Sequence, residues 1–482
     1  DYQVIDNHPV ALQTIIDQKS GETYFNIVAQ ATTDKEGKFT GWQKTIPFAI
    51  ETGLVVPHPQ ETNPELFNLK KSDAPIPQFV KAMDMGGIKV NPQEVVDNVQ
   101  YYPIKGADGK QYIIGTYHLD PNPNPNQSGE TLEGPIPLVI WDEEEGWRRI
   151  GLKDLYRIGT STIWNLLDTS KTQFNTEREK YKSIFLQNFS TYTAQVNWNN
   201  FQPNDPNSFD FSVLDWQLSQ LKKLGLSDDL NLTAQSLIWQ QQLPDWLKNG
   251  NYSKDQLIRF MENYIETVVR RYRGRIKEMI IVNEPAGNNL GGWIRDDFLY
   301  EKIGPNYIDI AFGAARKADP ELILIFNDTD NHSPSGHTTQ NTLQVVKRLK
   351  SKNLIDGVGV QMHLDGTKPF NKNQVIETLK QYGMPIYITE FDVDMSGVKG
   401  TPEERLLKQA EITRLVIQAV LESKVCVSFT MWEAPGDRFN WLENYLNKNN
   451  ADGTLWTDQL DPKPSYYALI QALLEESLKS SN

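Results

Sequence analysis

Apolar positions along this chain follow two different rhythms. From about residue 155 onward, short apolar runs alternate with longer stretches of helical periodicity. Arg157–Ser161 is the first run, followed by Phe189–Ala194, Leu232–Trp239, Glu278–Glu284, Leu322–Asn327, Gly357–His363, Pro385–Glu390 and Val427–Trp432. Runs this short, bounded by polar turns, predict buried strands. Between them, Leu257, Met261, Tyr264, Ile265, Val268 and Tyr272 fall on one helical face. Ser253 and Gln256 can close a capping box at the start of that helix. Thr401-Pro402-Glu403-Glu404 predicts another helix start, with Thr as N-cap, Pro in the first turn and Glu completing the box. Eight strand-then-helix units predict an α/β fold, a (β/α)8 TIM barrel over residues 151–482.

Residues 1–150 alternate differently. Short runs rich in Val, Ile, Tyr and Phe are separated by Gly and Asp turns, at Ser20-Gly21, Glu36-Gly37 and Asp108-Gly109. The last of these, between Tyr101–Ile104 and Tyr112–Tyr117, is a strong hairpin signal. Pro121–Gly134 reads as a loop and Asp142–Glu145 as a solvated acidic run. The expectation is a mostly β N-terminal domain, either a structural or a carbohydrate-binding module. Its Trp42, Trp141, Trp147 and many tyrosines are read first as core or as contact with the barrel, because a β domain of this size needs aromatic core residues. A sugar-stacking face is the alternative.

Composition narrows the function. The 482 residues carry 48 Lys plus Arg against 62 Asp plus Glu, a net charge of −14 that disfavours nucleic acid as a partner. No apolar run approaches the roughly 18 residues of a membrane-spanning helix. A single cysteine, Cys426, excludes an intrachain disulfide and a Cys-based zinc cluster, and the six histidines lack metal-ligand spacing. Cys426 is read as an inert core residue. No metal and no cofactor are expected, and the chain is expected to act as a monomer. Sequons at Asn188, Asn231, Asn251 and Asn327 carry little weight in an Asn-rich chain. The chain opens on Asp1 rather than Met, which fits a removed leader or a trimmed start.

The chemistry of a TIM barrel sits at the C-terminal ends of its strands. The fourth run ends Asn283-Glu284-Pro285, and the seventh ends Thr389-Glu390-Phe391-Asp392. Two carboxylates over one barrel mouth are what glycoside hydrolysis uses: one protonates the leaving oxygen, and the other attacks the anomeric carbon or activates water. A single strand-end Glu is as well explained as a solvated acid or a helix cap. Two of them on strands four and seven are not.

These segments resemble glycoside hydrolase family 10, the endo-β-1,4-xylanase family. Trp239–Trp246 (Trp-Gln-Gln-Gln-Leu-Pro-Asp-Trp) is similar to its Trp-His-x-Gln-Leu-Pro-x-Trp. Gly304–Ile308, Ala314–Pro320, Asn327-Asp328, Ile355–Leu364, Gln202-Pro203 and Phe209–Phe211 agree with it as well. The likeness covers roughly residues 155–475 and leaves the N-terminal region out. It implies a retaining glycoside hydrolase that works by double displacement, with Glu284 as general acid/base and Glu390 as nucleophile. It further implies that Asn283 bonds the sugar 2-hydroxyl, that His363 orients Glu390, and that Trp432 and Trp441 offer aromatic faces to sugar rings. Trp239 would line the floor, and Gln361 shares the strand end of His363. His363 as a satisfied core histidine and Trp432 as barrel-top filling remain open, while Trp246 and Trp293 read as packing.

The chain also departs from the family. Gln235 and Gln240 stand where two histidines are usual, and Asn197 stands where a lysine is expected. Glutamine exchanges hydrogen bonds but does not titrate. A site built around particular hydroxyls discriminates strongly, so these changes point to an altered glycone preference. The expectation is a β-glycosidase acting on a polysaccharide, xylanase-like, secreted or at the cell surface. The alternatives are a polysaccharide-binding protein on a degenerate barrel, and a glycosidase or transglycosylase for another glycan.

Overall fold

The computed structural model describes residues 2–5, 8–16, 23–33, 39–50, 75–119, 132–142, 146–226, 231–286, 297–334 and 336–480. Strands β1 (Tyr2–Ile5), β2 (His8–Ile16), β3 (Thr23–Thr33) and β4 (Phe39–Ile50) form an antiparallel sheet in chain order. The turns read at Ser20-Gly21 and Glu36-Gly37 lie outside the described residues, as does the side chain of Trp42. The strands flanking them pair as hairpins, Ile16 opposite Thr23 and Thr33 opposite Phe39.

A second antiparallel sheet follows, also in chain order: β5 (Val99–Lys105), β6 (Gln111–Leu119), β7 (Gly134–Asp142) and β8 (Gly146–Arg149). The Asp108-Gly109 turn closes β5 onto β6, with Lys105 opposite Gln111. Gly109 sits at φ +84°, a left-handed conformation that costs glycine little. Most of the Pro121–Gly134 loop, residues 143–145 and the side chain of Trp147 lie outside the described residues.

This sheet is not insulated from the barrel. The helix Pro75–Met85 buries Ile76, Phe79, Ala82 and Met83. Phe79 meets Tyr117 of β6 edge-on at 5.8 Å and Tyr467 of the C-terminal helix Pro464–Ser480 at 5.2 Å. Full burial of such a ring contributes about 1.5–3 kcal/mol. Gln471 donates to the Glu133 carbonyl at 2.7 Å, and Lys81 reaches Asp461 at 2.5 Å. One hydrophobic core runs without a break from Ile76 to Leu474. Tyr101, Tyr112 and Tyr117 are buried, so these tyrosines are interior residues, and Trp141 is half-buried.

The barrel is a ring of eight parallel strands: β9 (Ile158–Ser161), β10 (Thr191–Gln195), β11 (Asn231–Gln235), β13 (Glu278–Asn283), β14 (Ile323–Asp328), β15 (Gly357–Asp365), β16 (Ile386–Asp394) and β17 (Cys426–Met431). The β17–β9 and β11–β13 pairings close it. The run expected as one strand over Leu232–Trp239 is interrupted. After β11, Leu237 turns its N–H to the Ile280 carbonyl at 3.0 Å, and a two-residue strand β12 (Ile238–Trp239) resumes pairing with β13. Both capping boxes form, Ser253 with Gln256 and Thr401 with Glu404. The helix Lys254–Tyr272 buries the six residues read as its inner face, together with Val269. No helix among the described residues is long and apolar enough to cross a membrane.

Alternation along the strands sorts residues between the barrel interior and the helix layer. Leu324, Phe326, Ile386 and Ile388 join the large outer core, whereas Ile280, Ile325 and Tyr387 form a small cluster of their own inside the ring. Above that apolar layer come Asn327 and Thr389, bonded to each other at 2.6 Å. Gly359 makes room for them: a Cβ there would stand 2.2 Å from Asn327 Oδ1. The ladder slips between Ile388 and Phe391, so consecutive Thr389 and Glu390 both turn inward. Bulges of this kind re-aim side chains beside active sites.

Candidate active site

The C-terminal strand ends surround a cleft of about 790 Å³. Its lining includes Asn197, Gln235, Trp239, Asn283, Glu284, Gln361, His363, Glu390, Trp432 and Trp441, residues contributed by seven parts of the ring. Gln240 lies in the adjoining turn Gln240–Gln242, where Gln241 and Gln242 line the cleft and Gln240 does not.

Glu390 is nearly enclosed, at 4% exposure. Its Oε1 accepts from Gln235 Nε2 at 2.5 Å and Asn327 Nδ2 at 3.2 Å, and its Oε2 lies 2.9 Å from His363 Nε2. His363 Nδ1 lies 3.0 Å from Asp392 Oδ1, and Asp392 Oδ2 accepts from Trp441 Nε1 at 2.5 Å. Burial opposes charging the imidazole, but Asp392 and Glu390 more than offset it and raise its pKa well above the ordinary histidine value. The charged ring then donates one N–H to each carboxylate. His363 is therefore no isolated core histidine: it ties Glu390 to the wall that carries Trp441.

Glu284 is half-buried just beyond β13, at φ +53°. A non-glycine residue in this left-handed region is uncommon, and such strain concentrates at functional sites. Its Oε2 accepts from Trp239 Nε1 at 3.2 Å, and its Oε1 accepts from Asn283 Nδ2 at 3.1 Å and Gln361 Nε2 at 3.2 Å. Asn283 Oδ1 in turn accepts from Asn327 Nδ2 at 2.8 Å. The two carboxylates are thus linked through the side-chain amides of Asn283 and Asn327.

The aromatic residues divide by role. Trp441 packs against the His363 ring at 4.8 Å, and Trp432 stands edge-on to it at 6.3 Å. Both keep surface in the cleft. Trp246 instead donates to the Gln202 carbonyl and packs on Trp198, Tyr252 and Phe260. Trp293 lies outside the described residues. Asn197 divides its duties: it lines the cleft, and its side chain caps the turn Trp198–Phe201 through Asn200. Cys426 begins β17, half-buried beside Ser423, and burial pushes its thiol up to about 12, as for an inert thiol.

Sequence reasoning missed several residues of the cleft and of the buried network beneath it. Asn327 registered as a sequon and as part of the Asn327-Asp328 segment, with no role given, yet it is fully buried at the centre of the network; the sequon residue Asn188 is buried too. The signal for Asn327 was the inward register it shares with Ile325 on β14. Asp392 was read only as part of a motif. Glu433, at φ +46°, and Tyr445 line the cleft from the segment after β17, where no periodicity marks them. Among the described residues no group of His, Cys, Asp and Glu is arranged to hold a metal ion.

Comparison with known proteins places this barrel in a defined company. The model of glycosyl hydrolase family 10 matches residues 153–472. Endo-1,4-beta-xylanase B of Thermotoga neapolitana is 31% identical over 326 residues, covering 66% of this chain and 88% of the relative. The endo-1,4-beta-xylanase of Agaricus bisporus is 33% identical over 241 residues, 50% of this chain and 70% of the relative. Native xylanase 10B of Thermotoga maritima superposes with a TM-score of 0.62 at 28% identity, covering 68% of this chain and 100% of that one. Xylanase 10B of Thermotoga petrophila, solved with xylobiose, gives 0.61 at 27% identity, covering 68% and 98%.

Proposed function

The chain belongs to glycosyl hydrolase family 10 and is a glycoside hydrolase, and from that premise we propose that it cleaves internal β-1,4 bonds of a xylan-type polysaccharide with retention of configuration. The observation that carries this reading is the three-point hold on Glu390 by Gln235, Asn327 and the ring of His363. That hold presents a fixed, charge-compensated carboxylate to the cleft, as a nucleophile requires.

In the first step a Glu390 oxygen bonds to the anomeric carbon as the glycosidic C–O bond breaks, and Glu284 gives its proton to the departing oxygen. In the second step water attacks the anomeric carbon, Glu284 takes the water proton, and Glu390 leaves. Asn283, between the two carboxylates, is assigned the sugar 2-hydroxyl. Trp239, Trp432 and Trp441 are assigned apolar sugar faces. Gln235 has a buried Oε1 with no partner, an acceptor ready for a sugar hydroxyl. A polymeric substrate of this kind goes with a secreted or surface-bound enzyme.

The test is a reducing-end assay on xylans, β-glucans, cellulose and mannans, run with the wild type, Glu284→Ala and Glu390→Ala. A mechanism-based 2-fluoroglycoside accompanies it, and its attachment point is mapped by mass spectrometry. Xylan cleavage lost in both variants, with the label on Glu390, is the expected result. Binding to a polymer with no turnover on any would replace the enzyme reading with a binding protein. Cleavage with inversion, or a label elsewhere, would overturn the mechanism.

A further inference from the structure

Large apolar side chains are rarely exposed among the residues whose side chains are described. Among the described residues Val213, Val427, Leu446 and Tyr445 are so, and Tyr445 leads at 78%. It is also the one of these four that lines the cleft. An aromatic ring left in water at the rim of a sugar cleft has an obvious use, because its face stays wet until a pyranose covers it.

Local structure gives the ring a direction. The helical turn Trp441–Asn444 is followed by Tyr445, whose N–H bonds to the Trp441 carbonyl at 2.9 Å. Residues four apart on a helical turn share a face, with Cβ atoms about 5–6 Å apart. Trp441 is the inner member, tied to Asp392 by its indole N–H. Tyr445 is the outer member, with Asn444 beside it in the same lining. Trp441 and Tyr445 thus follow one another along one stretch of the cleft lining.

The charge of the cleft selects what binds there. Its ionisable lining, among the described residues, is Glu284, Glu390, Glu433 and His363, with no lysine or arginine. A uronate there would face carboxylates, and the one cationic group of that lining, His363, is already taken up by Glu390 and Asp392, whereas an uncharged sugar meets aromatic faces and amides.

We propose that Tyr445, with Asn444, forms an outer subsite that stacks an uncharged sugar ring beyond the one on Trp441, so that the enzyme favours longer neutral chains. The inference rests on the glycosidase reading of the cleft and adds the length and charge class of its substrate.

The experiment is steady-state hydrolysis of linear β-1,4-xylooligosaccharides of two to six sugars, by the wild type, Tyr445→Ala and Tyr445→Phe. The ratio of kcat/KM for the six-sugar to the two-sugar substrate should fall about three- to tenfold in Tyr445→Ala, through KM, and be restored in Tyr445→Phe. A uronate-branched oligomer of equal length should be cleaved more slowly than the linear one by the wild type. An unchanged length ratio in Tyr445→Ala overturns the subsite, as does an equal loss on every length. A wild type silent on all of these oligomers overturns the proposed function and the subsite together, and is told apart from the first outcome by the wild-type rate alone.

Discussion

Glu390 Oε2 lies 2.9 Å from His363 Nε2, and this contact joins the buried strand-end carboxylate to the far wall of the cleft. The imidazole sits between Glu390 and Asp392, and these two carboxylates overcome its burial and raise its pKa. Its folded-state pKa lies above the unfolded value of about 6.5. The stabilisation is therefore complete below that pH and is lost as pH rises through the folded value. Thermal melting should shift downward in the alkaline range, and His363→Gln should flatten that part of the profile. A wild-type melting temperature that is level or rising there would contradict the charged ring.

Trp441 combines a hydrogen bond with a sugar face, and substitution separates the two. Trp441→Phe removes the Nε1 donor to Asp392 but keeps an aromatic ring. A hydrogen bond to a charged group contributes about 1.5–3 kcal/mol, so kcat should fall about tenfold or more with a smaller change in KM. Trp441→Ala should raise KM as well. Wild-type kinetics for Trp441→Phe would mean the indole N–H has no bearing on Glu390, and equal kinetics for the two variants would mean the ring gives no sugar face.

Gln235 holds Glu390 Oε1 at 2.5 Å from a buried position. Gln235→Leu keeps similar volume without the donor. We expect kcat to drop by about 10- to 100-fold, with the far-ultraviolet circular dichroism spectrum unchanged. Full activity in this variant would show that Asn327 and His363 suffice.

Beyond the cleft, Asp437 and Lys463 form a buried ion pair at 2.6 Å. Burial pushes the Asp437 carboxyl up to about 6 against the pull of Lys463. Asp437 also accepts from the Thr454 N–H at 2.9 Å, and so ties the segment that carries Asn440 and Trp441 to the following loop. Removing one charge strands the other, so Asp437→Leu should cost about 3–5 kcal/mol in denaturant unfolding. Asp437→Leu with Lys463→Met should recover most of that loss. A double variant as unstable as the single would show that the cost comes from packing alone.

Phe79 connects the N-terminal helix to β6 and to the last helix of the barrel. Phe79→Ala should destabilise the protein by about 3–5 kcal/mol. Because the core is continuous, barrel tryptophan fluorescence and far-ultraviolet circular dichroism should report one shared transition. Two separated transitions would mean that residues 75–149 fold as an independent unit.

Much of the fold was legible before any coordinates. Eight apolar runs, the one-sided helix Lys254–Tyr272 and two capping boxes are local signals, set by neighbours within a turn or two of chain. The strand-end glutamates could be picked out because barrel chemistry gathers where strands end. Harder to see were Asn327, Asp392, Glu433 and Tyr445. Asn327 and Asp392 matter through partners 29 or more positions away, at Glu390, His363 and Trp441. Glu433 lies in irregular chain and Tyr445 ends a single helical turn, Trp441–Asn444, too short for periodicity to sort inside from outside.

The sequence by itself determined the barrel, its eight strands and the pair of glutamates at its mouth, because periodicity and strand-end position are properties of short stretches. Only the tertiary structure decided that Asn327 links Asn283 to Glu390, that His363 is held between two carboxylates, and that the β5–β8 sheet shares one core with the last helix. Those relationships join residues far apart in the chain, and what each group does depends on the burial and charge that closure of the ring brings around it.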